Sequence, residues 1–253
     1  MLGDYYYRKL PRKVQGRVEA MLHDLEKTAG GELCSVIVHG SVARAEWIEG
    51  KSDIDVIVVL RSAERKLLSA LGDCLAVART AARVDAMILV EAEIGRASDV
   101  FPLFYQDIRE HHIVLFGSDP FAELAIESAH LRLRIEQELR DVAIRLRRVV
   151  SDARGEPVAL GHAVARQLRR VRFPLHTMLR LMKIEVGHEL MAVLEKAGRK
   201  LDVDSVAFRR VYERPEAAFD ALVTLLDRAI DAVDRLDSAD LQISPKAARP
   251  SFG

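Results

Sequence analysis

Asp53 and Asp55 stand one residue apart at the head of the apolar run Val56 to Leu60. In a strand, residues two apart point to the same face, so the two carboxylates stand side by side. Two such charges repel unless a cation lies between them, and hard oxygen ligands at that spacing suit Mg²⁺. Upstream, Gly40-Ser41 follows the apolar run Val36-Ile37-Val38 and precedes a helix-compatible segment, Val42 to Trp47. Gly40 lets the backbone approach a ligand closely, and Ser41 offers its hydroxyl and N–H groups to a phosphate. A phosphate grip beside a metal-binding carboxylate pair is what phosphoryl or nucleotidyl transfer requires. The bland alternative is a buried strand that happens to carry a surface acidic pair.

The elements that must hold these residues are legible as periodicities. Val14, Val18, Met21, Leu22 and Leu25 recur at helical spacing after Pro11, and Gly30-Gly31 ends that helix. Leu33 to Val38 reads as a strand, followed by the Gly-Ser turn and the Asp-x-Asp strand. Ser62 to Arg79 reads as an amphipathic helix with Ser62 as its N-cap and Leu67, Leu68, Leu71 and Leu75 on one side. Arg83 to Val90 is a further strand in which Asp85 sits among Val84, Ala86, Met87 and Ile88. A lone carboxylate in an apolar strand is costly to bury, so Asp85 is expected to be paired or metal-bound. Ser98 to Glu110 reads as a helix capped by Ser98 or Asp99, and Ile113 to Gly117 as a strand closing the sheet. The intervening His111-His112 point to opposite faces and are poor for chelation.

Gly40-Ser41-Val42-Ala43-Arg44-Ala45-Glu46, followed by Ser52-Asp53-Ile54-Asp55, resembles the signature of the nucleotidyltransferase superfamily, which includes DNA polymerase β and the kanamycin and minimal nucleotidyltransferases. Ala45 stands where many small members have Gly. The resemblance implies an α/β (α+β) domain with a small mixed sheet over roughly 1–118. It implies two Mg²⁺ ions and a nucleoside triphosphate, taken as ATP, whose monophosphate passes to an acceptor hydroxyl with release of pyrophosphate. Asp53 and Asp55 would hold the metal, and Gly40, Ser41 and Arg44 would bind the nucleotide. Asp85 fits the family's third carboxylate, as metal ligand or base, with Glu91 and Glu93 as competitors at the strand's end.

Gly117-Ser118-Asp119-Pro120 marks the clearest boundary, and everything beyond it is helical in pattern. Phe121 to Arg154 reads as one long helix and Pro157 to Val186 as a second, kinked at Pro174. His188 to Lys200, Asp204 to Glu213 and Pro215 to Leu236 follow, giving an all-α bundle over 119–237 and a loose tail over 238–253. This layout also resembles the kanamycin-type enzymes. From His130 to Lys183 there are 13 Lys or Arg against 5 Asp or Glu, although the whole chain has a formal net charge of zero. Those helices are either a solvated face or a basic wall for triphosphate or an anionic acceptor. Arg170 and His176 have the spacing of a nuclease-type motif, but Pro174 lies between them and no other feature supports cleavage.

The acceptor is expected to be a protein or RNA, with a small molecule of the aminoglycoside type as the alternative. A non-catalytic nucleotide-binding protein is the reading from another class. No apolar run approaches the ~20 residues of a membrane helix, and the N-terminus is not a signal peptide. Cys34 and Cys74 read as buried reduced thiols. A cytoplasmic protein, with homo-oligomerisation open, is the expectation. Tyr5, Tyr6 and Tyr7 read as an aromatic lid, with base stacking as the alternative.

Overall fold

The computed structural model describes residues 10–236, so the expectations for Tyr5 to Tyr7 and for the 238–253 tail lie outside the described residues. The chain divides into two compact units between Ile126 and Glu127. In the first unit, α1 (Arg12–Ala29) and a short 3-10 turn lead into β1 (Leu33–Val38). A one-turn helix α2 (Gly40–Ala43), β2 (Ile54–Leu60), α3 (Arg65–Ala82) and β3 (Val84–Val90) follow. The unit continues with α4 (Glu91–Ala97), α5 (Pro102–Glu110) and β4 (Ile113–Gly117).

The sheet is mixed and four-stranded, in the order β3-β2-β1-β4. β1 runs antiparallel to β2 and β4, whereas β2 and β3 are parallel and joined through α3. Alternation along the strands divides the core between the two faces. Val36, Val38, Val56, Val58 and Leu60 bury themselves with Val18, Leu22 and Leu25 of α1 and Leu71 of α3. Ile37, Ile57 and Val59 bury themselves on the other face with Tyr105 and Ile108 of α5 and with Phe121. Both faces of β1 and β2 are thus covered, which is why these strands read as continuous apolar runs. β3 is an edge strand, and its exposure alternates.

Several local expectations differ from what is observed. Ser62 does not cap α3; Glu64 occupies that position, and the Ser62 hydroxyl donates to Glu32 Oε2 at 2.8 Å. The helix expected over 98–110 starts only at Pro102, which holds Phe101 out of helical geometry, and a separate helix α4 precedes it. Ser98 closes α4, donating its hydroxyl to Gly95 O at 2.9 Å. Glu91 and Glu93 sit in the first turn of α4. Cys34 and Cys74 are free thiols and half-buried rather than buried.

The second unit comprises α6 (Ser128–Ala153), α7 (Pro157–Leu181), α8 (Leu190–Lys200), α9 (Val206–Arg209) and α10 (Pro215–Asp234). It is a helical bundle in which α6, α7 and α10 contact one another and α8 lies against α7. The first of these helices starts at Ser128 rather than Phe121. Phe121 is fully buried in the core of the first unit, and its N–H donates to Asp119 Oδ1 at 2.9 Å. Asp119 Oδ2 in turn lies 2.9 Å from His112 Nε2. Pro174 does not end α7, which runs through it. The helix expected over 204–213 is confined to α9.

Several arginines of this unit form ion pairs with carboxylates of its helices. Arg134 pairs with Glu138 at 2.6 Å, Arg140 with Glu136 at 2.7 Å, and Arg145 and Arg170 share Asp141 at 2.8 and 2.9 Å. Exposed pairs of this kind contribute little to stability. Buried His176 stacks with Phe173 and His188, a packing role rather than a nuclease-type one. Among the described residues, no helix is long and apolar enough to cross a membrane.

The place of Phe121 yields a stability prediction. Phe121→Ala should destabilise the first unit by ~3–5 kcal/mol, as removal of a fully buried aromatic does. Urea unfolding followed by circular dichroism measures it. A loss below ~0.5 kcal/mol, the size expected for a surface helix residue, would contradict the placement.

Candidate active site

The site is assembled where β1 ends and β2 and β3 begin. After Val38 the chain turns through extended His39 into Gly40, whose φ of +64° lies in the left-handed region. Gly40 is required here for a second reason. A Cβ on it would stand 2.1 Å from Asp55 Oδ2, so the Asp55 carboxyl lies directly against the glycine backbone. The two segments are also tied by the His39 N–H, which donates to Asp55 O at 3.0 Å. The Ser41 N–H donates to the Asp55 carboxylate and partly offsets its charge. The turn closes with the Glu46 N–H donating to Ser41 O at 2.8 Å. Ala45 takes a φ of +59°, a region that costs a non-glycine residue ~1–2 kcal/mol. Alanine in place of glycine there strains the turn and removes no ligand.

Asp55 and Asp85 are direct partners in the parallel β2–β3 ladder, so they face the same side of the sheet. They lie on the face that carries Ile57 and Val59, since the alternate residues Ile54, Val56 and Val58 bury themselves on the other. Glu91 and Glu93 are excluded from this cluster, because Val90 pairs with Leu60 at the opposite end of the strands. Burial, followed by the neighbouring Asp85 and Asp53 charges, pushes the Asp55 carboxyl above the usual carboxylate range. A hard dication would relieve this crowding, so Asp53, Asp55 and Asp85 fit Mg²⁺ as an all-oxygen donor set.

Asp85 is not buried, contrary to the expectation for a carboxylate in an apolar strand. Its side chain is 58% exposed because β3 is the sheet edge, and Arg79 Nη2 donates to its Oδ1 at 2.7 Å. Asp53, 55% exposed, precedes β2 and accepts at Oδ1 from Arg83 Nε at 2.9 Å. Arg83 also donates to Gly50 O at 2.7 Å and Lys51 O at 3.2 Å, fastening the loop before Asp53. Arg83 caps α3 in the left-handed region, with φ +53°, where glycine is the ordinary choice.

Arg44, expected beside the nucleotide, has its guanidinium engaged elsewhere. It is only 12% exposed, with Nη1 2.8 Å from Asp107 Oδ2 and Nε 3.2 Å from Glu46 Oε2. Burial alone would raise the Asp107 carboxyl, but the His111 hydrogen bond and Arg44 outweigh it and hold the group below its ordinary range. Arg44 thereby ties the Gly-Ser turn to α5. Beside it, burial depresses the His39 imidazole to about 4, so the ring against Phe104 is neutral at neutral pH.

Sequence reasoning missed Arg79, Arg83 and Asp107 as members of this neighbourhood. Arg79 and Arg83 are four apart at the end of the helix that feeds the Asp85 strand, which is the signal that could have found them. Asp107 carries no comparable signal, because its partner Arg44 is 63 residues away.

Comparison with known proteins agrees with the motif. Residues 25–116 match the family model described as a nucleotidyltransferase domain. Among solved structures, the chain is similar to spectinomycin adenyltransferase from Enterococcus faecialis, solved with ATP and spectinomycin. That similarity has 10% identity, covers 87% of this chain and 99% of that chain, and has a TM-score of 0.45. No curated protein sequence matches the chain. Gly40, Ser41, Asp53, Asp55 and Asp85 all fall inside the span that matches a nucleotidyltransferase domain.

Proposed function

We propose that this protein transfers a nucleoside monophosphate from a nucleoside triphosphate, ATP foremost, to an acceptor hydroxyl. The observation that carries this reading is the apposition of Gly40, Asp55 and Asp85. It sets a bare backbone turn beside in-register carboxylates whose charges want a cation. Asp53 and Asp55 would hold Mg²⁺, with Asp85 beside them serving the incoming hydroxyl. The metal, when bound, neutralises charge on the triphosphate and steadies the departing pyrophosphate.

The chain's own residues supply the rest. The backbone of the turn and the Ser41 hydroxyl receive the terminal phosphates, and the bare Gly40 lets the Asp55 carboxyl lie against that turn. The acceptor oxygen bonds to the α-phosphorus as the bond from that phosphorus to the α–β bridging oxygen breaks. Asp85 takes the proton of the incoming hydroxyl, with Arg79 steadying the carboxylate at its other oxygen. Arg44 and Asp107 keep the Gly-Ser turn in register with α5.

Asp53→Asn and Asp55→Asn should each abolish Mg²⁺-dependent binding of ATP, measured by titration calorimetry. Unchanged affinity in both would sink the assignment. Asp55→Asn should also raise the melting temperature at neutral pH, because the native state holds that carboxyl above its unfolded value and so binds protons more tightly. The gain is fully present above the raised native pKa and disappears as pH falls below the unfolded one, where the wild-type group is protonated in both states. A gain that persists undiminished in acid would contradict the electrostatic cause.

Asp85→Asn should retain most ATP affinity but lose transfer by on the order of 10²–10⁴-fold, as removal of a general base does. Slow pyrophosphate release with water as the acceptor provides the assay. A variant with wild-type release would remove Asp85 from the chemistry.

A further inference from the structure

Two guanidiniums stand against the carboxylates of the site, and steadying Asp85 in the transfer step accounts for only one of them. Arg79 and Arg83 sit one turn apart at the end of α3, and each donates to a different carboxylate, at Asp85 Oδ1 and Asp53 Oδ1. Asp55, between them, receives only the Ser41 N–H among the interactions that lower its charge by hydrogen bonding. Two of the three carboxylates thus carry a guanidinium as a direct hydrogen-bond partner. Arg83 holds this arrangement from a left-handed backbone conformation, in which an arginine gains nothing over glycine except its side chain.

We propose that Arg79 and Arg83 are built-in counter-ions that keep free divalent cation off Asp53, Asp55 and Asp85, so that metal enters this site as its complex with the triphosphate. The inference rests on the proposed reading of these carboxylates as the metal site. Its physical basis is competition. A free dication must displace or crowd two guanidiniums that already occupy one oxygen on each of two ligands. The metal–triphosphate complex brings its own negative charge, which the same guanidiniums attract. Arg79 is the cleaner of the two to remove. It is 73% exposed and its guanidinium hydrogen-bonds Asp85, whereas Arg83 also fastens the loop at Gly50 and Lys51.

The test counts free Mn²⁺ by electron paramagnetic resonance in the full chain, for wild type, Arg79→Gln and the Arg79→Gln/Arg83→Gln double variant, with and without ATP. Wild type should bind Mn²⁺ weakly alone and tightly with ATP. Arg79→Gln should bind Mn²⁺ alone several-fold more tightly, and the double variant on the order of tenfold more tightly or beyond, since a full positive charge beside the ligands is removed. Thermal melts establish that the variants are folded, and the single variant suffices should the double fail to fold. Equal Mn²⁺ affinity in wild type and Arg79→Gln, with Mn²⁺–ATP still bound by both, overturns the counter-ion proposal alone. Absence of Mn²⁺–ATP binding in all of them overturns the underlying metal-site reading together with it.

Discussion

The contact between the Asp55 carboxyl and the Gly40 backbone is the constraint on which the rest of this site depends. A Cβ at Gly40 would overlap Asp55 Oδ2, and the left-handed φ of Gly40 excludes other residues a second time. Because β1 and β2 are antiparallel neighbours, the end of one strand and the start of the other meet at the same edge of the sheet. The Gly-Ser turn and the Asp-x-Asp pair, separated by a loop in sequence, are therefore brought together by one strand pairing. The parallel crossover through α3 then adds Asp85 opposite Asp55. Three segments converge with no contribution required from the helical unit.

Electrostatics gives this geometry its chemical bias. Burial, followed by the Asp85 and Asp53 charges, raises the Asp55 carboxyl against the opposing charge of Arg44, while Arg79 and Arg83 hydrogen-bond its two neighbours directly. Beneath the turn, Arg44 and Asp107 form a less exposed pair that faces α5. Arginine thus does two kinds of work here. Arg44 fixes the backbone that would meet phosphate, and Arg79 and Arg83 set the charge of the carboxylates that would meet metal.

The parts legible in the sequence are those encoded locally. Alternation and helical spacing located the four strands, α1, α3 and the helical half, and Gly40-Ser41 with Asp53-x-Asp55 located the turn and the carboxylates. Asp85 was identifiable as an anomaly in an apolar strand, but the reason it is tolerated was not. Its strand lies at the sheet edge, and edge position is set by pairing, which periodicity does not carry. Phe121 looked like the start of a helix because apolar spacing continues through it. Its burial against the sheet is a tertiary choice supported by Asp119 and His112. Arg44 was assigned to nucleotide from the motif, whereas its partner Asp107 lies far along the chain. The basic count from His130 to Lys183 was legible as arithmetic, whereas which arginines pair with Glu136, Glu138 and Asp141 is set by helix geometry.

The most direct measurement is the position of a bound metal–nucleotide on the folded chain. Paramagnetic broadening of backbone amide resonances by Mn²⁺–ATP reports it without knowledge of the acceptor. The account predicts broadening concentrated at Ser41, Ile54, Asp55 and Asp85, and lost in Asp55→Asn. Broadening centred on other residues of either unit, and unaffected by that substitution, would contradict it.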